Sequence, residues 1–576
     1  LNVSRNSGVA PLAVFFDASG TTATGTTRPF HELEYRWNFG DTASRNEAMG
    51  PVAAHVFENA GTYPITVSAF NGTSTVTYNC NITVLPVDVE FAGNKTICVS
   101  GVGNFAGCPT GALRVTSTNP TTAVASNMGT GNKRILFARG ETFSVASTIQ
   151  INRNGPGLIG AFGSGAKPNF VNAAEIGTIA LSSMTTPNIA DWRIVDLRID
   201  GNGFGGNSVA VYGAGSINNS LVSRLDIQNF NSGIKFSGSN LDAINNNGFT
   251  SPMWDGVFLT DNTVYNLVGT GANGGNGFYV GAWRLAVMGN SIDNNLNGEH
   301  GMRSPHSRFS VWQHNTTQRI ARAHMTLRSG GQGGSTLTAQ LGSGIHYTEK
   351  LLASENRFIG GPEPHAFGGT GPTNSTSNGR AREQIWEKNL MVGGAGTNGF
   401  IGITGSEVTV RNNVLLMHPG TGWSPFNVGA YDTAYAAAQG IPQPTNIWFY
   451  QNTIYYPATS PFWLMQLIGD PLTNSEITVK NNLMYSPNNG ATQDGRDWLW
   501  NPNNTTVYRT PLNTNTLIAE LQTSPNFTVN PPTNAAHMKP LAGSYAVGRG
   551  APVPVWSDYF GAPINPAARD LGAVKR

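Results

Sequence analysis

A short pattern of hydrophobic and polar positions recurs along the second half of the chain. It reads apolar, any, apolar, two variable residues, Asn, any, then usually apolar. It stands at Val257 to Val264 around Asn262, at Leu285 to Ile292 around Asn290, and at Phe309 to Thr317 around Asn315. It returns around Asn356, Asn389, Asn413, Asn452 and Asn482. The spacing between marked asparagines runs from 24 residues (Asn389 to Asn413) to 41 (Asn315 to Asn356). A phrase at that period marks one supersecondary unit per repeat. Its alternating apolar residues make a short, half-buried strand. The Asn is expected at the bend itself, because it tolerates left-handed backbone angles. Stacked units would bring the amides into a ladder at strand spacing. The pattern therefore predicts a parallel β-solenoid, with unequal spacing absorbed by loops on one face.

Strand-like runs also precede these phrases, at Ile149 to Ile151, Leu158 to Gly160, Trp192 to Ile199 and Leu221 to Ile227. Roughly eleven to thirteen coils follow, a rod about 55 Å long at ordinary strand spacing. The repeat and its Asn ladder resemble the right-handed parallel β-helix superfamily, which includes pectate lyases and many phage and bacterial polysaccharide-acting proteins. The stretch Lys133 to Phe143 resembles the entry coil of secreted β-helices. The end, Pro540 to Arg576, which closes with Arg569-Asp570-Leu571-Gly572-Ala573, resembles their closing segment and is expected to finish the last coil. Residues 330–345, 360–382 and 431–445 read as long inserts, the last with a helical turn near Ala434 to Gln439.

The first 85 residues follow another rhythm. Runs at Leu12 to Phe16, Leu33 to Trp37, Ala53 to Phe57, Tyr63 to Ala69 and Ser74 to Val84 are separated by Gly, Asn and Ser. They predict a small β-sandwich. Its phrases Phe16-Asp17-Ala18-Ser19, Tyr35 to Asp41, His55-Val56-Phe57 and Ala60 to Val67 resemble the PKD (polycystic kidney disease) domain, an immunoglobulin-like module. The family usually has Asp where Asn38 stands. The resemblance implies that Trp37 is a core aromatic, that Asp41 fixes a turn, and that the module is a spacer, adhesion or glycan-contact unit. The expected fold is thus all-β: an Ig-like sandwich over 1–85, a connector and solenoid cap over 86–133, and a right-handed parallel β-helix over 134–576. Within the connector, Val87 to Phe91 reads as one last strand, with a short helix near Thr121 to Ser126.

Composition narrows the function classes. Charged residues are 12% of the 576, about half the usual share, and net charge is +2. No basic run points to nucleic acid, and no apolar run is long enough to span a membrane. No signal peptide stands at Leu1, so it has been removed or the chain is a piece of a longer one. Three cysteines suit an oxidising compartment. Cys98 and Cys108 lie at a spacing that a disulfide can close, with Cys80 left over or pairing with one of them. The expected location is extracellular or at the cell surface.

In so uncharged a chain, one window is anomalous. His300, His306, His314 and His324 fall there with Glu299, Arg303, Arg308, Arg319, Arg322 and Arg328. A cation that neutralises a uronate carboxylate and a base that takes the adjacent C5 proton are what β-elimination needs. The phrases Asn297 to Arg303 and His324 to Gly330 faintly resemble the alginate lyase and chondroitinase B family, which implies Arg328 as base or proton partner. That family's catalytic lysine has no match in phrase. Lys235 and Lys350 are the nearest, so His300, His306 or His324 would have to substitute. Strand alternation would put His324, Thr326 and Arg328 on one outer face. The candidate catalytic set is Arg328, His324, His300, Arg303 and Glu299, with His306, Arg308, Trp312 and Arg322 as candidate substrate contacts. No spacing selects a hydrolase's carboxylate pair. No phrase indicates a metal or other cofactor, Ca2+ included. These features point to an exported protein that binds or processes polysaccharide, with polyuronate elimination ahead of hydrolysis if it is an enzyme. The competing expectation is a structural or adhesive subunit that self-assembles in an extracellular fibre or matrix.

Overall fold

The computed structural model describes residues 1–182, 189–214, 217–236, 254–269, 275–328, 346–360, 365–370, 379–394, 401–403, 405–418, 425–429, 444–455, 457, 465–468, 477–485, 499–500, 526–544 and 546–576. From Thr96 onward the chain winds as a parallel β-helix with three strands per coil. One coil runs through Trp283–Met288 in the first sheet, Ser291–Asn295 in the second and Met302–Ser304 in the third. The second and third sheets each hold 12 described strands, all paired in parallel with the next coil. The first sheet already begins at Thr96–Ser100, inside the stretch read from sequence as a connector. The strand Leu113–Thr116 pairs back onto that strand and covers its outer edge, which blunts a row of unpaired backbone groups. The helix Pro120–Asn127 starts on an Asn119 cap that accepts from Thr122 N. Its Ala123 and Val124 join the interior core, so the helix plugs the open end. Val87–Glu90, expected as a strand, is a single helical turn: Pro86 at its start removes a donor that a helix does not need there. Of the stretches read as inserts, 330–345 lies outside the described residues, as do 361–364, 371–378 and 431–443, including Ala434 to Gln439. The third-sheet strand His365–Thr370 falls within 360–382, so that stretch carries a coil strand.

The eight phrase asparagines form one continuous ladder between the first and second sheets. Asn315 Nδ2 donates to Asn356 Oδ1 at 2.9 Å, Asn356 to Asn389 at 2.9 Å, and Asn389 to Asn413 at 2.9 Å. The series runs from Asn262 to Asn482 without a break. Each oxygen also accepts the backbone N–H of the preceding ladder Asn, as Asn356 Oδ1 does from Asn315 N at 3.1 Å. The second amide proton goes to a backbone carbonyl, as from Asn356 to Trp312 O at 2.8 Å. Every rung is buried. The bend itself belongs to a different residue from the one the sequence suggested. Asp261, Gly289, His314, Glu355, Lys388, Asn412, Gln451 and Asn481, each just before a ladder Asn, hold φ between 51° and 68°. The ladder Asn is thereby left to hold neighbouring coils together, while the residue before it absorbs the left-handed angle. In the two coils before the ladder, the equivalent places hold Leu197 and Leu225 in the core; Leu225 N donates to Asn262 Oδ1 and ends the series.

The first sheet is covered on both sides, which explains its near-continuous apolar strands. Its inner row, including Leu259, Val287, Trp312 and Trp386, fills the coil interior. Its outer row of Leu221, Phe258, Ala286, Val311, Leu352 and Ile385 stands in register from coil to coil. Against that row lie Ala13, Phe15, Phe30, Val52 and Ala54 of the N-terminal sandwich. The sandwich is therefore docked lengthwise along the helix instead of spacing it from something else. Its own core closes around Trp37, whose indole N–H donates to Gly50 O at 2.8 Å. Asp41 fixes its turn, accepting from Ser44 Oγ at 2.7 Å and pairing with His55 at 2.9 Å. Polar pins flank the apolar contact. The fully buried Arg193 donates to Pro11 O at 2.9 Å and Val9 O at 2.8 Å, and Arg411 donates to His31 O at 2.6 Å. Residues 551–576, expected only to close the last coil, run back beside both parts. Trp556 donates to Glu32 O of the sandwich at 2.9 Å, and Gly572 N donates to Asn481 O of the helix at 2.7 Å. Cys98 and Cys108 form a disulfide, and Cys80 stands outside it.

The ladder makes a graded prediction. Asn356→Ala strips the acceptor from two donors of Asn315 and removes the Nδ2 donor from Asn389 and from the Trp312 carbonyl, so it should cost on the order of 3 kcal/mol. Asn482→Ala, at the end of the series, strips the acceptor from two donors of Asn452 but takes no donor from a further rung, so it should cost less. Urea midpoints of the two variants check this, and equal losses would mean the amides act singly.

Candidate functional site

The third sheet carries a polar row on its outer side. Tyr212 stands in register with Lys235, Lys235 with Tyr279, Tyr279 with Arg303, and Arg303 with Thr326. The flanking residues Ile234, Phe236, Phe278, Val280, Met302, Met325 and Leu327 point into the coil core, so alternation turns the row outward. One residue per coil is presented at a strand spacing of about 4.8 Å.

Arg303 is the centre of the row. Its Nη1 donates to Glu299 Oε2 at 2.6 Å, and its guanidinium lies 5.2 Å from the centroid of the Tyr279 ring. Glu299 is set in the turn before the strand by its own N–H, which donates to Gly275 O at 3.1 Å. Arg322, with 58% of its side chain exposed, brings a second guanidinium to 3.6 Å from Glu299. Arg303 Nε and Thr326 Oγ1 are buried without a hydrogen-bond partner, a costly state for groups in a folded interior. Lys235 has one polar neighbour in register on either side, Tyr212 and Tyr279. Partial burial pulls its pKa below the ordinary lysine value, moving it toward the form that can accept a proton.

Other sequence candidates separate from this row. His324 sits at a bulge in the strand Ala323–Arg328, where the pairing register shifts. It is fully buried: Nδ1 lies 2.6 Å from Thr317 Oγ1 and Nε2 lies 2.8 Å from Gly360 O. The carbonyl can only accept, so Nε2 carries the proton and Nδ1 accepts from the hydroxyl. The ring thus ties the turn together instead of sharing an outer face with Thr326, because the bulge breaks the alternation assumed from sequence. Trp312 is 0% exposed and packs inside the coil, so it is no substrate contact. Arg308 lies on the first sheet, paired with Glu349 and 4.5 Å over the Trp283 ring, away from the third-sheet row. His306 is within 3.3 Å of Thr348 Oγ1 at the turn into the first sheet. His300 adjoins Glu299 in the turn and its carbonyl accepts from Gly277 N at 3.0 Å. The backbone of Arg328 ends its strand, and its side chain lies outside the described residues. Sequence reasoning named Lys235 only to set it aside for lack of a matching phrase, and did not single out Tyr212 or Tyr279. The alternation in Ser232–Phe236 does mark Lys235 as outward, but the row appears only when coils of unequal length are brought into register.

Burial presses the His324 pKa down to about 4. The unfolded chain then takes up a proton near pH 6.5 that the folded chain refuses until about 4. Stability should therefore fall as pH drops from about 6.5 to about 4, by on the order of 3 kcal/mol from this residue. His324→Gln should be less stable at neutral pH yet show a shallower loss across that window, read from urea midpoints as a function of pH. An unchanged slope would remove His324 as its source.

Residues 1–84 match the PKD domain family. No curated protein sequence matches the chain. Among solved structures, the tailspike protein of E. coli bacteriophage HK620, in complex with pentasaccharide, aligns at 14% identity and a TM-score of 0.46, over 68% of this chain and 65% of that one. PfbA, a surface adhesin of Streptococcus pneumoniae, aligns at 12% identity and a TM-score of 0.35, over 64% of this chain and 85% of that one. Pectate lyase Pel9A aligns at 11% identity and a TM-score of 0.32, over 85% of this chain and 98% of that one. Among the described residues, no helix is long and apolar enough to cross a membrane. Residues 1–84 are a PKD domain, and the chain that follows is built as a parallel β-helix.

Proposed function

We propose that the chain is an exported protein that holds an acidic polysaccharide along its third sheet and cleaves it by β-elimination. The observation that carries this reading is the row Tyr212, Lys235, Tyr279, Arg303 and Thr326, in register on one outer face. A polymer laid along the helix axis meets the half-buried Tyr212, Lys235 and Tyr279, with Arg303 and Thr326 buried at the end of the same row. Two guanidiniums, Arg303 and Arg322, flank the single carboxylate Glu299, which leaves positive charge for a uronate. That charge lowers the cost of forming the carbanion beside the uronate carboxylate. Lys235, in its unprotonated form, takes the C5 proton. The electron pair forms the C4–C5 double bond, the C4–O4 bond breaks, and the departing oxygen takes a proton from the Tyr279 hydroxyl. Lys235 thus fills the role that the sequence reading left to His300, His306 or His324. Glu299 orients Arg303, and the inward His324 is a positioning residue for the turn.

The test is ultraviolet absorbance of the unsaturated uronate product over a panel of polyuronates, for wild type, Lys235→Met, Arg303→Ala and Arg328→Ala. Lys235→Met should lower the rate by about a hundredfold or more while retention on a polysaccharide affinity gel persists. Arg303→Ala should weaken both. A flat wild-type trace with retained gel binding would leave a non-catalytic adhesive or structural protein, and failure to bind any polyuronate would sink the reading altogether.

A further inference from the structure

A second opening lies far from the third-sheet row, where the docked sandwich meets the corner between the first and second sheets. It is a cleft of about 520 Å³. Arg36, Arg45 and Glu47 line it from the sandwich, Glu355 and Lys388 from the corner, and Phe560 from the returning segment. The corner residues are there for a structural reason. Glu355 and Lys388 both occupy the left-handed position before a ladder Asn, with φ of 57° and 56°. Successive coils therefore present them at one edge.

Lys388 is the anomaly in this cleft. It is 3% exposed, and its Nζ has only Met49 Sδ at 3.1 Å and Ser557 Oγ at 3.4 Å for company. An ammonium has three donors and a full charge, and neither a thioether nor a hydroxyl balances that charge. Two of the carboxylates around it are already engaged: Glu387 is held by Arg411 at 2.6 Å, and Glu34 accepts from Arg36 at 2.8 Å. Glu355 lies 3.1 Å from His314, whose pKa burial lowers to about 4, and burial raises the Glu355 pKa in turn. Among the described residues, no carboxylate lies within ion-pair distance of Nζ. A buried cation whose carboxylate neighbours Glu387, Glu355 and Glu34 all stand beyond contact distance is costly. Burial accordingly pulls the Lys388 pKa down, and an incoming anion would reverse that effect. Gly561 leaves the approach open: a Cβ at this position would stand 3.9 Å from Nζ. At the rim, the ring of Phe560 is 58% exposed and offers an apolar plate of the kind on which a sugar face stacks.

We propose that this cleft binds a carboxylate, carried by an acidic saccharide, with the Lys388 ammonium as its counter-ion and Arg36 and Arg45 beside it. The site draws on the sandwich, the coil corner and the returning segment together, so it exists only in the docked chain. It does not rest on the third-sheet reading.

Isothermal titration calorimetry on the whole chain tests it, with trigalacturonate as the acidic sugar, citrate as a simple carboxylate and a neutral galactose trisaccharide as control. Wild type should bind trigalacturonate and not the neutral sugar. The Kd should rise about tenfold or more in Lys388→Met, as loss of a charge-assisted contact implies. It should rise likewise in Gly561→Asp, which sets the chain's own carboxylate beside Nζ, although φ of 85° at this position strains any side chain. If either variant does not fold, the other decides the matter alone. Arg303→Ala should retain this binding. Citrate binding that is lost in the same two variants would keep the carboxylate site and remove the saccharide as its source. Trigalacturonate binding unchanged in both variants, lost only in Arg303→Ala, or absent from wild type would overturn the proposal.

Discussion

The structure depends on one repeated hydrogen bond, the amide-to-amide link from each ladder Asn to the next coil. A parallel sheet can slip in register, and slipping by one residue would turn every side chain to the opposite face. The ladder removes that freedom, because a rung is satisfied only when its neighbours stand directly above and below it. It also fixes the residue before each Asn in the left-handed angle, which aligns the corner. Once register is locked, each face becomes a set of aligned rows. The first sheet then shows an apolar row against the sandwich, the third a polar row on its outer side, and the corner a line of mostly polar residues.

The sandwich and helix hold each other by two different means. The apolar row from Leu221 to Ile385 supplies the area, as Phe15, Phe30 and Val52 settle on it. Area alone would allow sliding along so regular a surface. The arginines remove that freedom, since Arg193 reaches two specific carbonyls near one end and Arg411 a third near the other. A buried guanidinium is tolerable there because its charge is met by Asp191 or Glu387 and its donors by backbone oxygen.

Much of this was legible in the residues. The asparagine phrase gave all eight rungs, and the sandwich was readable from Tyr35 to Asp41 and Ala60 to Val67, because both signals are local in sequence. What failed was anything that depended on alignment between coils. Lys235 and Tyr279 are 44 positions apart, by subtraction of their numbers, and yet adjacent in the sheet. Trp312 and His324 were misplaced for related reasons. Trp312 belongs to the inner row of a strand apolar on both sides, where alternation carries no signal. His324 stands at a bulge, where alternation gives the wrong answer. Charge clustering between residues 299 and 328 located the centre of the row through Glu299 and Arg303, but it also gathered Arg308, which the coil sends to another face.

The returning segment bears on how the chain assembles. Trp556 bonds the sandwich at Glu32, and Ser557 and Gly561 stand beside Lys388. These partners are separated by more than five hundred positions for Glu32 and Trp556. On a chain made from its N-terminus, the sandwich and the early coils can close while residues 551–576 do not yet exist. The wall of the corner cleft is then built after the sandwich and the coils that it rests on. Its arrival joins residues near the start of the sandwich to the late coils, so that one edge of the fold closes only once the winding that precedes it is in place.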